Sequence, residues 1–206
     1  MTRKLTSQID AHASDKRGHV TARKLTGQKP ALNMREVWSI RTRLEFDGDV
    51  RSLALFNLAI DSKLRGYDLV RHKVSDVAAG GDVRSRGAII QKKTGRPVQF
   101  EFTENTRRSV TALLARDKAG QDNYLFQIRL RGSPHLSTRQ YARIVQDWVA
   151  STGLNPAACG THSLRRTKAA IIYRKTGNLR AVQPLLGHTK LLKHGSIPRR
   201  RCGRRA

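Results

Sequence analysis

From Met34 onward, apolar residues recur at three- and four-residue steps. Met34, Val37, Trp38 and Leu44 form one stripe, and Val50, Leu53, Ala54, Leu58 and Leu64 form the next. Residues so spaced share one face of a helix. Two helices are therefore expected, the second ending at Arg65 with Gly66 as its stop. The period then changes. In GAIIQKKTGRPVQFEFT, Ile89 and Ile90, then Val98, Phe100 and Phe102, flank Thr94-Gly95-Arg96, which predicts a β-hairpin. Thr103 is placed to cap a helix through Leu114. Ser137 and Gln140 make a capping-box pattern that opens a helix carrying Tyr141, Ile144, Val145, Trp148 and Val149. THSLRRTKAAIIYRKTG predicts another helix, ending at Gly177. Asn178 is placed to cap a short helix to Leu186, stopped by Gly187 and interrupted by Pro184, at a cost of about 3 kcal/mol. The expected fold is mainly α with a small β-hairpin sheet (α+β).

Composition adds a partner to this outline. The 206 residues suffice for one domain with extensions, and a hydrophobic content of 38% with 5% aromatics suits a single core with solvated flanks. Residues 1–32 read as a basic arm, 33–190 as the folded domain and 191–206 as a basic tail without helical periodicity. The 41 lysines and arginines against 15 acids give a formal charge of +26, which calls for a polyanion, most commonly nucleic acid. No long apolar run or basic amphipathic anchor argues for a membrane, and MTRKLTSQIDAHAS lacks the apolar core of a secretory signal. Cys159 and Cys202 are far apart, so a reduced cytoplasmic, nucleoid-associated setting is expected.

Several charged residues stand at the ends of predicted elements. His162 and Arg165, three apart, share a helix face. Arg65 precedes a glycine stop in SKLRGYDLV, Lys92 and Lys93 adjoin the hairpin turn, and His188 follows a helix end in LLGHT. Each has a plainer reading. Arg65 could complement a helix dipole. The two lysines could be ordinary surface charges, and His188 a cap. A zinc site from Cys159, His162, His188, His194 and Cys202 lacks a second compact pair of ligands.

Taken in chain order, the LRGYDL, THSLRRT and LLGHT boxes with the hairpin lysines resemble the tyrosine recombinase (phage integrase) family over about Asn33 to Lys190. The resemblance implies a catalytic domain that binds double-stranded DNA, as a homo- or hetero-oligomer on that DNA. It also implies cutting and rejoining through a 3′-phosphotyrosine without metal or other cofactor. Arg65 and Arg165 would clamp the non-bridging phosphate oxygens, since charge-assisted hydrogen bonds suit the charge that builds there. His162 would assist proton transfer and His188 would donate to the phosphate. Lys93, with Lys92 as the alternative, would protonate the leaving oxygen.

The family attacks with a tyrosine about nine residues after the position of His188, where this sequence has Ile197, and no tyrosine follows Tyr173. Tyr173 continues the Ala169, Ala170, Ile172 stripe and is expected in the core. The tail therefore reads as truncated or out of frame. Phosphate binding is expected to survive and strand cleavage to be lost. The alternative is a DNA-binding protein that occupies sites, or joins assemblies of intact recombinases, without cutting. A generic RNA-binding protein ranks last, because the few aromatics read as core rather than as stacking platforms.

Overall fold

The chain is described here by a computed structural model covering residues 29–128 and 134–178. Seven helices and four short strands occur among these residues. They are α1 (Met34–Phe46), α2 (Val50–Ser62), α3 (Gly66–Val70), α4 (Val74–Val77), β1 (Ala78–Ala79), β2 (Asp82–Val83), β3 (Arg86–Ile90), β4 (Pro97–Glu101), α5 (Glu104–Asp117), α6 (Thr138–Ser151) and α7 (Thr161–Thr176). The architecture is mainly α with two antiparallel strand pairs, β1–β2 and β3–β4. No described helix is long and apolar enough to cross a membrane.

Local chemistry starts the helices where the sequence signals it. Asn33 accepts from the Glu36 amide while Glu36 Oε2 accepts from the Asn33 amide at 2.7 Å, a reciprocal cap on α1. Ser137 and Gln140 do the same for α6. The middle of the fold is α2, whose residues from Ala54 to Ser62 are all buried because α1, α5 and α7 pack around it. The β3–β4 hairpin pairs Ile89 with Val98 and Gly87 with Phe100. Gly95 closes its turn at φ +63, a conformation glycine adopts without steric cost. Phe100 packs edge-on against Phe102 at 5.3 Å, seating the hairpin on the core.

Several expectations shift. Met34 and Trp38 are 53% and 66% exposed, so the buried stripe of α1 is Val37, Ile40 and Leu44. Trp38 lies one residue, about 100°, round the helix from Val37 and is exposed to solvent. Helix α2 stops at Lys63, which is left-handed at φ +55, and Gly66 begins α3 instead of ending α2. Thr103 stands at the N-cap of α5, but its side chain makes no capping bond. Its amide donates instead to Asp61, and the helix runs to Asp117. The helix expected from Asn178 to Leu186, with Pro184 and Gly187, falls outside the described residues.

One buried group sets an acid limit on stability. His72 is 1% exposed beside Phe100, its Nδ1 meets the Asp68 carbonyl at 3.0 Å, and its Nε2 is buried without a partner. Burial pulls the imidazole below its ordinary value, against the Asp68 carbonyl and the charges of Asp76 and Asp68. The unfolded chain takes up this proton near pH 6.5, whereas the fold does so only at lower pH, so stability should fall as pH drops below about 6.5. Thermal melting from pH 8 to 5 should show that decline, and His72→Phe should flatten it. A wild-type melting temperature that holds steady between pH 7.5 and 5.5 would contradict this assignment.

Candidate phosphate-binding site

The site is built where α2 gives way to α3. The left-handed turn at Lys63 redirects the chain, and Arg65 becomes the extended N-cap residue of α3 (φ −69, ψ 148). Gly66 follows against the Tyr141 ring of α6, where a Cβ would lie only 3.1 Å from a ring carbon. That contact fixes the backbone presenting Arg65. A cation at a helix N-terminus is disfavoured by the peptide dipoles, so Arg65 does not complement the dipole of α3. Its Nη1 donates to Gln91 Oε1 at 2.5 Å, and Gln91 is buried at the end of the hairpin. The same oxygen accepts from Thr94 Oγ1, while the Lys92 amide donates to Asp68 Oδ1 at 3.2 Å. The turn bearing Lys92 and Lys93 is thus tied to Arg65 and α3, with both lysines exposed.

Arg165 reaches the same place from α7. Its Nε donates at 2.9 Å to the carbonyl of Lys63, a residue 102 positions away that the left-handed turn leaves outside the α2 helix. Burial, then the like charge of Arg65, pulls the Arg165 guanidinium below its ordinary value, and Asp68 partly offsets this. His162 lies one turn earlier on α7 and is exposed. Burial of part of its ring, followed by Arg166, Arg165, Lys29 and Arg65, lowers its pKa, which leaves the imidazole neutral at pH 7. An anion placed here would relieve that crowding of cations and accept from two arginines.

The structure therefore brings Arg65, His162 and Arg165 together, and links the lysine turn to them through Gln91. His188 lies outside the described residues, as do His194 and Cys202. Among the described residues no three His, Cys, Asp or Glu side chains form a group able to hold a metal ion. Tyr173 is only half-buried, although Ala169 and Ala170 of its stripe reach the core, so it is not the core residue expected. Tyr141 is fully enclosed and its hydroxyl pKa is raised by burial, while Tyr67 is exposed beneath the Arg71 guanidinium. Gln91, Asp68 and the Lys63 carbonyl were not anticipated. Asp68 alone carried a signal, one helical turn after Arg65 on the same face.

Two arginines and a histidine from distant segments thus converge in one mainly helical domain, an arrangement of charge suited to an anion. The phage integrase family matches residues 32–193, and the chain belongs to that family. Tyrosine recombinase XerC of Actinobacillus pleuropneumoniae is 33% identical over 144 residues, covering 69% of this chain and 45% of that protein. Among solved structures, XerA recombinase shares the fold with a TM-score of 0.64 at 20% identity, covering 80% of this chain and 57% of that one. XerH site-specific recombinase bound to its difH substrate in a pre-cleavage complex gives 0.63 at 18% identity, covering 79% and 48%. The chain spans about half the length of the curated XerC relatives it matches.

Proposed function

We propose that this chain is the catalytic-domain portion of a site-specific DNA recombinase or integrase, and that it grips a backbone phosphate of duplex DNA between Arg65 and Arg165. The observation that carries this reading is the pairing of those two arginines. Each is anchored by a fixed acceptor, Gln91 Oε1 and Lys63 O, and they meet beside a neutral His162. The pair supplies preorganised positive charge where a five-coordinate phosphorus would gather negative charge. His162 would accept the proton of an attacking hydroxyl, and Lys93 (or Lys92) would donate one to the leaving 5′-oxygen. His188 would add a hydrogen bond to the phosphate. The partner is double-stranded DNA of the cytoplasmic nucleoid, bound as a homo- or hetero-oligomer. The domain spans 33–190, preceded by a basic arm at 1–32 whose last residues, from Lys29 to Leu32, pack against α7, and followed by a basic tail at 191–206.

A second reading is binding without cleavage. It is supported by the sequence about nine residues after His188, where the resemblance implies a tyrosine and Ile197 stands. The two readings are separated by a nicked duplex that traps any covalent protein–DNA adduct. Both readings expect salt-sensitive binding, weakening by about a thousandfold or more between 50 and 200 mM salt if six or more phosphates are held, and binding without an adduct selects the second. A covalent adduct would overturn the non-cleaving reading, and salt-independent or absent binding would overturn both.

A further inference from the structure

The segment before α1 is strapped across the start of α7. Leu32 is fully buried and its amide donates to Thr167 Oγ1 at 3.1 Å. Arg166 Nη1 donates to the Lys29 carbonyl at 2.8 Å, and Lys29 Nζ donates to the Cys159 carbonyl at 3.4 Å. The Lys29 stem lies along Gly160, its Cδ 3.5 Å from where a Cβ would stand. Pro30 follows Lys29 and biases it toward extended backbone, which favours this crossing. A lysine from a stretch that reads as a flexible arm is thereby held at the end of α7 that carries His162.

We propose that Lys29 and Arg166 form a second anion subsite beside the Arg65–His162–Arg165 pocket, taking a neighbouring phosphate of the same DNA strand. Arg165 and Arg166 are consecutive, so their side chains leave α7 about 100° apart and do not share one phosphate. Arg165 turns inward to Lys63 O, and Arg166 turns outward to the strap. Lys29 is exposed and has N–H groups to spare beyond its long bond to Cys159. The charges that bear on His162 from this side, Arg166 and Lys29, are both positive, and such a cluster is stabilised by an anion.

This inference rests on the DNA-binding reading, and its test separates the two. The full chain is titrated with duplex DNA across a salt series, comparing wild type with Lys29→Ala, Lys29→Arg and Arg165→Ala, each checked for an unchanged melting temperature. Lys29→Ala should weaken binding about three- to tenfold and reduce the salt slope by about 0.9, one phosphate's worth, while Lys29→Arg should retain both. A duplex with single neutral methylphosphonates should identify the phosphate. Neutralising one position, distinct from the one that makes Arg165→Ala silent, should cost wild type affinity and leave Lys29→Ala unaffected. The subsite is overturned if Lys29→Ala keeps the wild-type affinity and slope while Arg165→Ala weakens binding. It is equally overturned if Lys29→Ala loses affinity only together with melting temperature. If Arg165→Ala also binds as wild type, the DNA-binding reading itself has failed.

Discussion

Asp61→Ala is expected to destabilise the domain by about 3–5 kcal/mol, because it removes the anion of a buried ion pair and strands its partners. Asp61 is 4% exposed at the end of α2. Its carboxylate accepts from the Thr103 amide at 2.7 Å, Thr106 Oγ1 at 2.6 Å and Lys168 Nζ at 2.9 Å, joining α2 to α5 and α7. Burial alone would raise its pKa. The Thr106 hydroxyl, the Lys168 charge and the Thr103 amide outweigh that and hold the carboxyl below its ordinary value. Without the carboxylate, Lys168 would face the buried Lys63, whose amine is already lowered by burial and by Lys168 itself. Asp61→Asn keeps an acceptor but not the charge, so about 1–3 kcal/mol is expected. Urea unfolding should show a lower midpoint with an unchanged slope. A loss below about 1 kcal/mol for Asp61→Ala would mean the pair contributes little, as an exposed one would. The consequence reaches the site, since Lys63, two residues on, supplies the carbonyl that aims Arg165.

How much of this was legible depends on the physics each feature obeys. Helices α1, α2, α5, α6 and α7 run for thirteen residues or more, long enough for a 3.6-residue period to show. Helices α3 and α4, of five and four residues, complete little more than one turn and leave no periodic trace. The end of α2 was misplaced because a lysine, not a glycine, adopts the left-handed turn there. Only tertiary contacts justify that cost. Trp38 and Met34 fit a helical stripe as well as Ile40 does, and only the position of α2 decides which of them is covered. Arg65, His162 and Arg165 stood out in the sequence because chemistry restricts the residue types suited to an anion, and the fold brings the three near one another. Their supports did not stand out, since a buried glutamine oxygen or a helix-end carbonyl can serve any nearby donor. Lys29 sat in a stretch without periodicity, and its fixed position depends on α7 lying against Leu32.

Arg165→Ala is expected to lower affinity for duplex DNA by about ten- to a hundredfold near 0.2 M salt, where long-range attraction is screened but a direct charge-assisted contact of about 1.5–3 kcal/mol persists. The fold should tolerate the change. The side chain gives up its bond to Lys63 O, and its removal also relieves repulsion with Arg65. Arg165→Lys should keep the salt slope but recover only part of the affinity, because a single ammonium lacks the two-pronged geometry of a guanidinium. A second readout comes from His162. Arg165 is one of the cations holding that imidazole below its ordinary pKa, so its loss should move the His162 titration, followed by ring-proton NMR, up toward 6.5 in the free protein. The two readouts test different statements. An unmoved His162 would mean that Arg165 and His162 do not share a site. A shifted His162 with unchanged affinity would mean that they do, but that the phosphate binds elsewhere.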